Sequence, residues 1–260
     1  MSSPEVGRPR PQRWLQGAGE PIFDVLPETI LANTRHPRSE NALLWNSLYP
    51  RLWPSRPLSD FMAIRPLWGT HEVAFSDEDL RPYFWGYSVD GQRLPELDDS
   101  LAAVDGAGPQ TEVDLFLVGP SQLVLVEAKH TSRLGRCSRY GAGRCPEVQA
   151  RADGDMDACR YWDYGAARFE QDLHLDRPIP EAPPPACNRH YQLARSLRLG
   201  GHLAANTGRT LHLWLLAPRR IWARQLQGDW IDFADRVRKA DVWRRMRVIA
   251  WEDVSQLPSI

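Results

Sequence analysis

Lysine is nearly absent from this chain. Of its 32 basic residues only Lys129 and Lys239 are lysines. The chain meets most needs for positive charge with arginine. A retained lysine therefore marks a place that calls for a compact point charge rather than a planar fork. Charge of one sign is not in excess: 33 acidic residues against 32 basic ones leave a formal net charge of -1, which excludes a uniformly basic protein that coats nucleic acid. No apolar run approaches the roughly 20 residues needed to span a bilayer. Met1 to Gly17 is polar and rich in Pro and Arg, without the apolar stretch of a secretory signal, so the expectation is a cytoplasmic protein with no membrane partner. Neither a phosphate-cradling P-loop nor a dinucleotide-binding glycine pattern occurs, which argues against nucleotide-driven chemistry. No internal repeat is present. Cysteine is sparse: Cys137, Cys145, Cys159 and Cys187 are the four in the chain. None forms a CxxC pair, and structural disulfides are disfavoured in the cytosol.

The 260 residues, 42% hydrophobic and 25% charged, suffice for one core or for one core with an insertion. Residues 1–38 lack sustained periodicity and read as an N-terminal arm, partly disordered, within which Pro21–Leu31 could dock. Ser39 is a good N-cap, and Leu43, Leu44 and Leu48 predict a helix that Pro50 and Pro54 should stop. Short strands are expected around His71–Phe75 and Tyr83–Val89, and a polar loop from Asp90 to Gln110. The strongest pattern follows: Glu112–Val118 and Gln122–Glu127 are two β-rich runs joined by Gly119-Pro120-Ser121, a hairpin. The second run is almost wholly apolar, as in a strand buried on both faces. Thr131 to Ala186 turns irregular and carries three of the four cysteines, with one helix expected near Met156–Phe169. A helix over about Asn188–Ala205, a strand at Thr210–Leu216, a helix at Asp232–Lys239 and a last strand at Met246–Trp251 complete the pass. From Arg189 to Arg247 basic residues outnumber acidic ones, whereas Ser76 to Asp114 is acid-rich. A basic surface beside an acidic pocket suits a phosphodiester substrate; charges that merely solvate helix faces are the alternative.

Charge is concentrated at one place on the hairpin. Side chains alternate along a strand, so Glu127 and Lys129 project from one face at the end of the apolar run. A three-residue hairpin loop pairs Val118 with Gln122 and sets Asp114 opposite Val126, beside Glu127; a slip of one residue changes the face that Asp114 uses. Two neighbouring carboxylates repel unless a cation lies between them. Mg²⁺, a hard ion that takes one or two carboxylates plus waters and phosphate oxygens, suits that position. Lys129 is placed to orient or help deprotonate a water, or to stabilise charge on a phosphate. A surface ion pair of Glu127 with Lys129 is the alternative.

This arrangement resembles the PD-(D/E)xK, restriction-endonuclease-like nuclease superfamily, through Asp114 in Thr111-Glu112-Val113-Asp114 and through Glu127-Ala128-Lys129 on the next strand. No proline precedes Asp114. The resemblance covers the core from the first helix to the strand at Thr210. It implies an α/β fold, a mixed central sheet flanked by helices, over residues 39–260, with a cysteine-containing insertion at about 131–187. It further implies a Mg²⁺- or Mn²⁺-dependent nuclease, endo- or exonucleolytic, acting on nucleic acid, with DNA favoured over RNA, in restriction, defence or repair. Asp114 and Glu127 would be metal ligands. Glu40, in the first turn of the first helix, would support the metal, as a Glu there does in many members; a first-turn Glu that simply favours the helix dipole is the alternative. Some branches place Gln and Tyr on the second core helix. Tyr191-Gln192 opens that helix here, but Ser196 stands four residues after Gln192 where those branches have Tyr. Some relatives staple a loop with an iron–sulfur cluster, so the four cysteines could hold such a cluster or structural Zn²⁺; independent thiols are the other reading. A protein partner or a homo-oligomer is open. Two further functions remain: a non-cleaving nucleic-acid- or protein-binding module on the same fold, and a zinc-stabilised interaction protein.

Overall fold

The computed structural model describes residues 13–70, 73–107, 110–149, 159–179 and 184–259. Its centre is a six-stranded mixed sheet in sequential order: β1 (Arg56–Pro57), β2 (Asp79–Phe84), β3 (Leu115–Val118), β4 (Gln122–Ala128), β5 (Thr210–Ala217) and β6 (Met246–Ala250). The pairs from β1 to β4 are antiparallel, and β4–β5 and β5–β6 are parallel. Parallel neighbours need long returns over the sheet faces, which is where helices cover it.

Every residue of β4 is buried, and its side chains divide between two cores. Leu123 and Leu125 join a cluster with Leu193, Leu197, Trp230 and Phe233; Val124 and Val126 join one with Trp45, Leu48, Phe84 and Trp214. The protein is thus layered helix–sheet–helix, and the near-continuous apolar run of β4 follows from burial on both faces.

Four helices matter for the site: α1 (Glu40–Leu52), α2 (Leu97–Asp105), α3 (Tyr191–Thr207) and α4 (Gln227–Ala234). Ser39 caps α1 as expected, its Oγ accepting from the Ala42 N–H at 3.2 Å. Gly200 lets α3 lie close on the sheet: a Cβ there would come within 2.8 Å of Leu125 and 2.9 Å of Leu211.

The structure corrects several expectations. Pro50 lies inside α1, which runs on to Leu52. The second strand is Asp79–Phe84 rather than Tyr83–Val89. The segment read as loop from Asp90 to Gln110 contains α2, whose Leu97, Leu101 and Val104 form an apolar stripe. The helix expected at Asp232–Lys239 is α4, displaced toward the N-terminus and preceded by a π-helical turn at Trp222–Leu226. Residues 13–38 are no loose arm: they form short helices at Ile22–Val25 and Glu28–Asn33, and Leu15, Ile22, Phe23, Leu26, Ile30 and Leu31 are buried against α1. Of the helix expected near Met156–Phe169, the part before Cys159 lies outside the described residues, and the rest forms only short turns. His71 and Glu72, in another expected strand, also lie outside them.

His212 on β5 is fully buried, with Nε2 at 2.9 Å from Gln122 Oε1. Burial, and then Arg245 and Arg247, push its pKa from the ordinary 6.5 down to about 3. Above pH 6.5 folded and unfolded chains are both neutral here, so the residue adds no pH dependence. As the pH falls between these two values the unfolded chain gains a proton the folded one refuses, and stability drops by up to about 1.4 kcal/mol per unit. Urea unfolding at pH 7.5, 6.0 and 5.0 should therefore show a shallower acid loss in His212→Asn than in wild type.

Candidate active site

Strand register decides which groups meet. The hairpin pairs Leu115 with Val126 and Val118 with Leu123, one residue away from the expected pairing. The cause is the turn, in which the Gly119 N–H donates to Gln122 O and Gln122 opens β4. Continued by one step, this register sets Asp114 level with Glu127. Asp114 then shares the alternation of Phe116, and Glu127 that of Leu125, so both belong to the face that α3 covers. The expected register would have sent Asp114 to the other face.

Four elements converge on the end of β4. From the β3 side, Asp114 Oδ2 accepts the Ala128 N–H at 2.8 Å. On β4, Glu127 Oε1 accepts from Lys129 Nζ at 2.8 Å and also from Gln192 Nε2. On α3, Gln192 uses its other end to accept the Gly135 N–H at 2.6 Å, so it ties the segment after β4 to Glu127. From α1, Glu40 Oε1 accepts the His130 N–H at 2.6 Å and the Ser132 hydroxyl at 2.9 Å. The backbone of Lys129 is fixed on both sides: its N–H donates to Leu216 O at 2.8 Å, and its carbonyl accepts Trp251 Nε1–H at 2.9 Å. Glu127 is 2% exposed and Lys129 6%, so this is a buried pair and not a solvated ion pair at a strand end.

The electrostatics are unbalanced toward negative charge. Burial, and next Glu127, push the Asp114 carboxyl well above the usual carboxylate range, while Lys129 and the Ala128 N–H pull the other way. Burial disfavours the charged Lys129 ammonium, but Glu127, Asp114 and Glu40 outweigh it and raise its pKa overall. Glu112, two residues before Asp114, is also raised, by burial and then by Glu127, with Arg195 opposing. Reading the sequence did not single out Glu112 or Arg195. Their signals were the two-residue spacing to Asp114 in the segment that leads into β3 and the three-residue spacing to Gln192 on a helix.

One atom tests the fit of a cation. Glu127 Oε2 is buried and has no hydrogen-bond partner among the described residues. An orphaned carboxylate oxygen beside a second buried carboxylate is a donor set for a hard ion, and a magnesium that keeps several waters needs only one or two such carboxylates. Asp114 and Glu127 fit that requirement. No group of three or more His, Cys, Asp or Glu side chains is gathered for a metal among the described residues, and Glu40 spends its carboxylate on the His130–Ser132 backbone and hydroxyl. The cysteines form no such group either. All four are free thiols, close enough to act on one another electrostatically, and burial raises Cys159 to about 11 and Cys187 to about 12.

The family described as restriction endonuclease associating with ARP matches residues 89–259, well over half of the chain and the part that carries β3, β4, α3, β5 and β6. No curated protein and no solved structure matches the chain. No helix of the described residues is long and apolar enough to cross a membrane.

The buried pair makes a prediction about stability. Lys129→Met leaves Glu127 buried without its cation and should cost about 3–5 kcal/mol in metal-free buffer. Adding Glu127→Gln to that variant should recover much of the loss. Denaturant titration of the two single variants and the double variant measures this coupling, and additive losses would mean that the pair is not coupled.

Proposed function

Since this chain belongs to the family described as restriction endonuclease associating with ARP, we propose that it is a divalent-metal-dependent nuclease that hydrolyses phosphodiester bonds, with DNA as substrate. The observation that carries this reading is Glu127. One of its oxygens is fixed by Lys129 and Gln192, the other is buried without a partner among the described residues, and the carboxylate acts electrostatically on Asp114. Asp114 and Glu127 would hold Mg²⁺ or Mn²⁺, which when bound supplies Lewis acidity toward the scissile phosphate.

The chain's own groups do the rest. Lys129 presents an ammonium whose direction is set by Glu127 and whose backbone is pinned by Leu216 and Trp251, so it can orient an attacking water or neutralise charge that builds on the phosphate. Glu40 holds His130 and Ser132, in the segment after Lys129, against α1. Gln192 sets the rotamer of Glu127. Arg136 and Arg195 border the hollow next to Gln192 and offer positive charge to the flanking phosphates. Hydrolysis adds water to phosphorus and breaks the bond to the leaving oxygen, which takes up a proton. The family's description names ARP as what such endonucleases associate with, and an association of this chain with ARP is proposed on that ground.

The test is cleavage of supercoiled plasmid, linear duplex and single-stranded DNA in Mg²⁺ or Mn²⁺. Lys129→Ala and Asp114→Ala should each lower the rate at least about a hundredfold, measured at a temperature where circular dichroism shows each variant folded. Equal cleavage by wild type and both variants would contradict the assignment. Binding without cleavage by any of the three would favour a non-cleaving module.

A further inference from the structure

Arginines away from the carboxylate cluster are mostly held by a partner, as Arg56 is by Asp60, Arg93 by Asp98 and Arg198 by Asp172. Arg35, Arg38, Arg133, Arg136, Arg220 and Arg224 differ. Each is exposed, and none of these six side chains has a hydrogen bond or ion pair among the described residues.

The six come from three segments that run directly off the elements of the proposed active site. Residues 34–38 lead into Ser39 and Glu40 at the start of α1. Residues 130–144 follow Lys129. Residues 217–227 follow β5, whose Leu216 carbonyl accepts the Lys129 N–H at 2.8 Å. The segments emerge side by side: Glu40 Oε1 accepts the His130 N–H at 2.6 Å, and His130, Pro218 and Trp251 border one hollow. Together the three segments contain nine arginines and no Asp or Glu, in a chain whose formal net charge is -1. Positive charge is thus gathered at the end of β4 and balanced elsewhere. Glu252 and Asp253 reach this edge, but Glu252 accepts the Arg219 N–H and Asp253 pairs with the Arg219 side chain. Arg224 is presented from the π-helical turn, which the buried Trp222 and Leu226 anchor.

Unpaired guanidinium forks match phosphate oxygens, and a backbone of phosphates offers such partners at regular spacing. No large aromatic or aliphatic side chain of the three segments is exposed, so the surface lacks the platforms on which bases of a single strand stack. We propose that the edge formed by residues 34–38, 130–144 and 217–227 is a docking surface for the backbone of duplex DNA, which it holds by the phosphates and delivers to Asp114, Glu127 and Lys129. The proposal rests on the nuclease reading, takes DNA from it, and narrows the substrate to the double-stranded form. Phosphate contacts carry no sequence information, so this surface accepts duplexes of any sequence.

The experiment uses the full chain in EDTA, so that no cleavage occurs. Fluorescence anisotropy follows binding to a labelled duplex, and to one of its strands alone, across a salt series. Wild type should favour the duplex, with a log–log salt slope of roughly -5 for six phosphate contacts. Arg220→Gln with Arg224→Gln should make the slope shallower by about 2, and so should Arg35→Gln with Arg38→Gln. Arg244→Gln, exposed just before β6 begins and so at the opposite end of the parallel strands, should leave it unchanged. The substituted side chains are exposed and without partners among the described residues, and circular dichroism checks that each variant is folded. Binding of the single strand as tightly as the duplex, absence of binding to either, or a slope that both double variants leave unchanged would overturn the proposal. Cleavage of the duplex in Mg²⁺ separates the two ideas. Lys129-dependent cleavage with an unmoved salt slope removes the docking surface and leaves the nuclease; arginine-dependent duplex binding without cleavage does the reverse.

Discussion

A carboxylate oxygen that is buried and has no donor among the described residues is the constraint on which this structure turns. Glu127 Oε2 stands at the end of β4, a strand buried along its whole length. Left uncompensated, such a group costs on the order of 1–3 kcal/mol or more. The rest of the fold keeps it there. The two cores clamp β4 from both faces. Gln192 and Lys129 take the other oxygen of Glu127, and Trp251 and Leu216 pin the backbone of Lys129. A scaffold that holds a carboxylate this rigidly, away from water and with one oxygen unmet, is pre-organised for a partner that brings positive charge.

The charge balance is what supports the proposed cation as that partner. Asp114, Glu127 and Glu40 lie within electrostatic reach of one another, with Glu112 close to Glu127, and Lys129 is the buried cation among them. Arg195, which also acts on Glu112, is itself bound to Asp105 at 3.1 Å. Lysine suits the central position because a point ammonium fits between carboxylates where a guanidinium fork would demand a plane. The near-absence of lysine elsewhere makes the choice visible. A divalent cation would relieve the raised Asp114 carboxyl, and a phosphate would complete the shell of that cation.

Which charged residues gather at the end of β4 was more legible in the sequence than how they meet. Glu127 and Lys129 could be picked because an unbroken apolar run that ends in two charges is a strong pattern, and Asp114 because the hairpin brings the preceding strand beside them. The sheet's later strands showed in the same way, as apolar runs at Thr210 and Met246. The register was missed by one residue because the turn includes Gln122 as well as Gly119, Pro120 and Ser121, and only the turn's hydrogen bonding reveals that. Helix α2 was taken for loop because acidic residues and glycines surround a stripe of only three apolar positions. The π-helical turn before α4 displaced the periodicity there. Residues 13–38 looked unpatterned because their apolar side chains dock singly, from short helices, onto Trp45 and its neighbours.

Divalent-cation binding is the most direct measurement. Titrating Mn²⁺ into the intact chain, with free Mn²⁺ followed by electron paramagnetic resonance, should reveal one site that Mg²⁺ competes for. Asp114→Asn and Glu127→Gln should each abolish it, while Cys159→Ser should leave it unchanged. A Mn²⁺ site that survives loss of either carboxylate, or no site in wild type, would contradict the reading of Asp114 and Glu127 as a metal-binding pair.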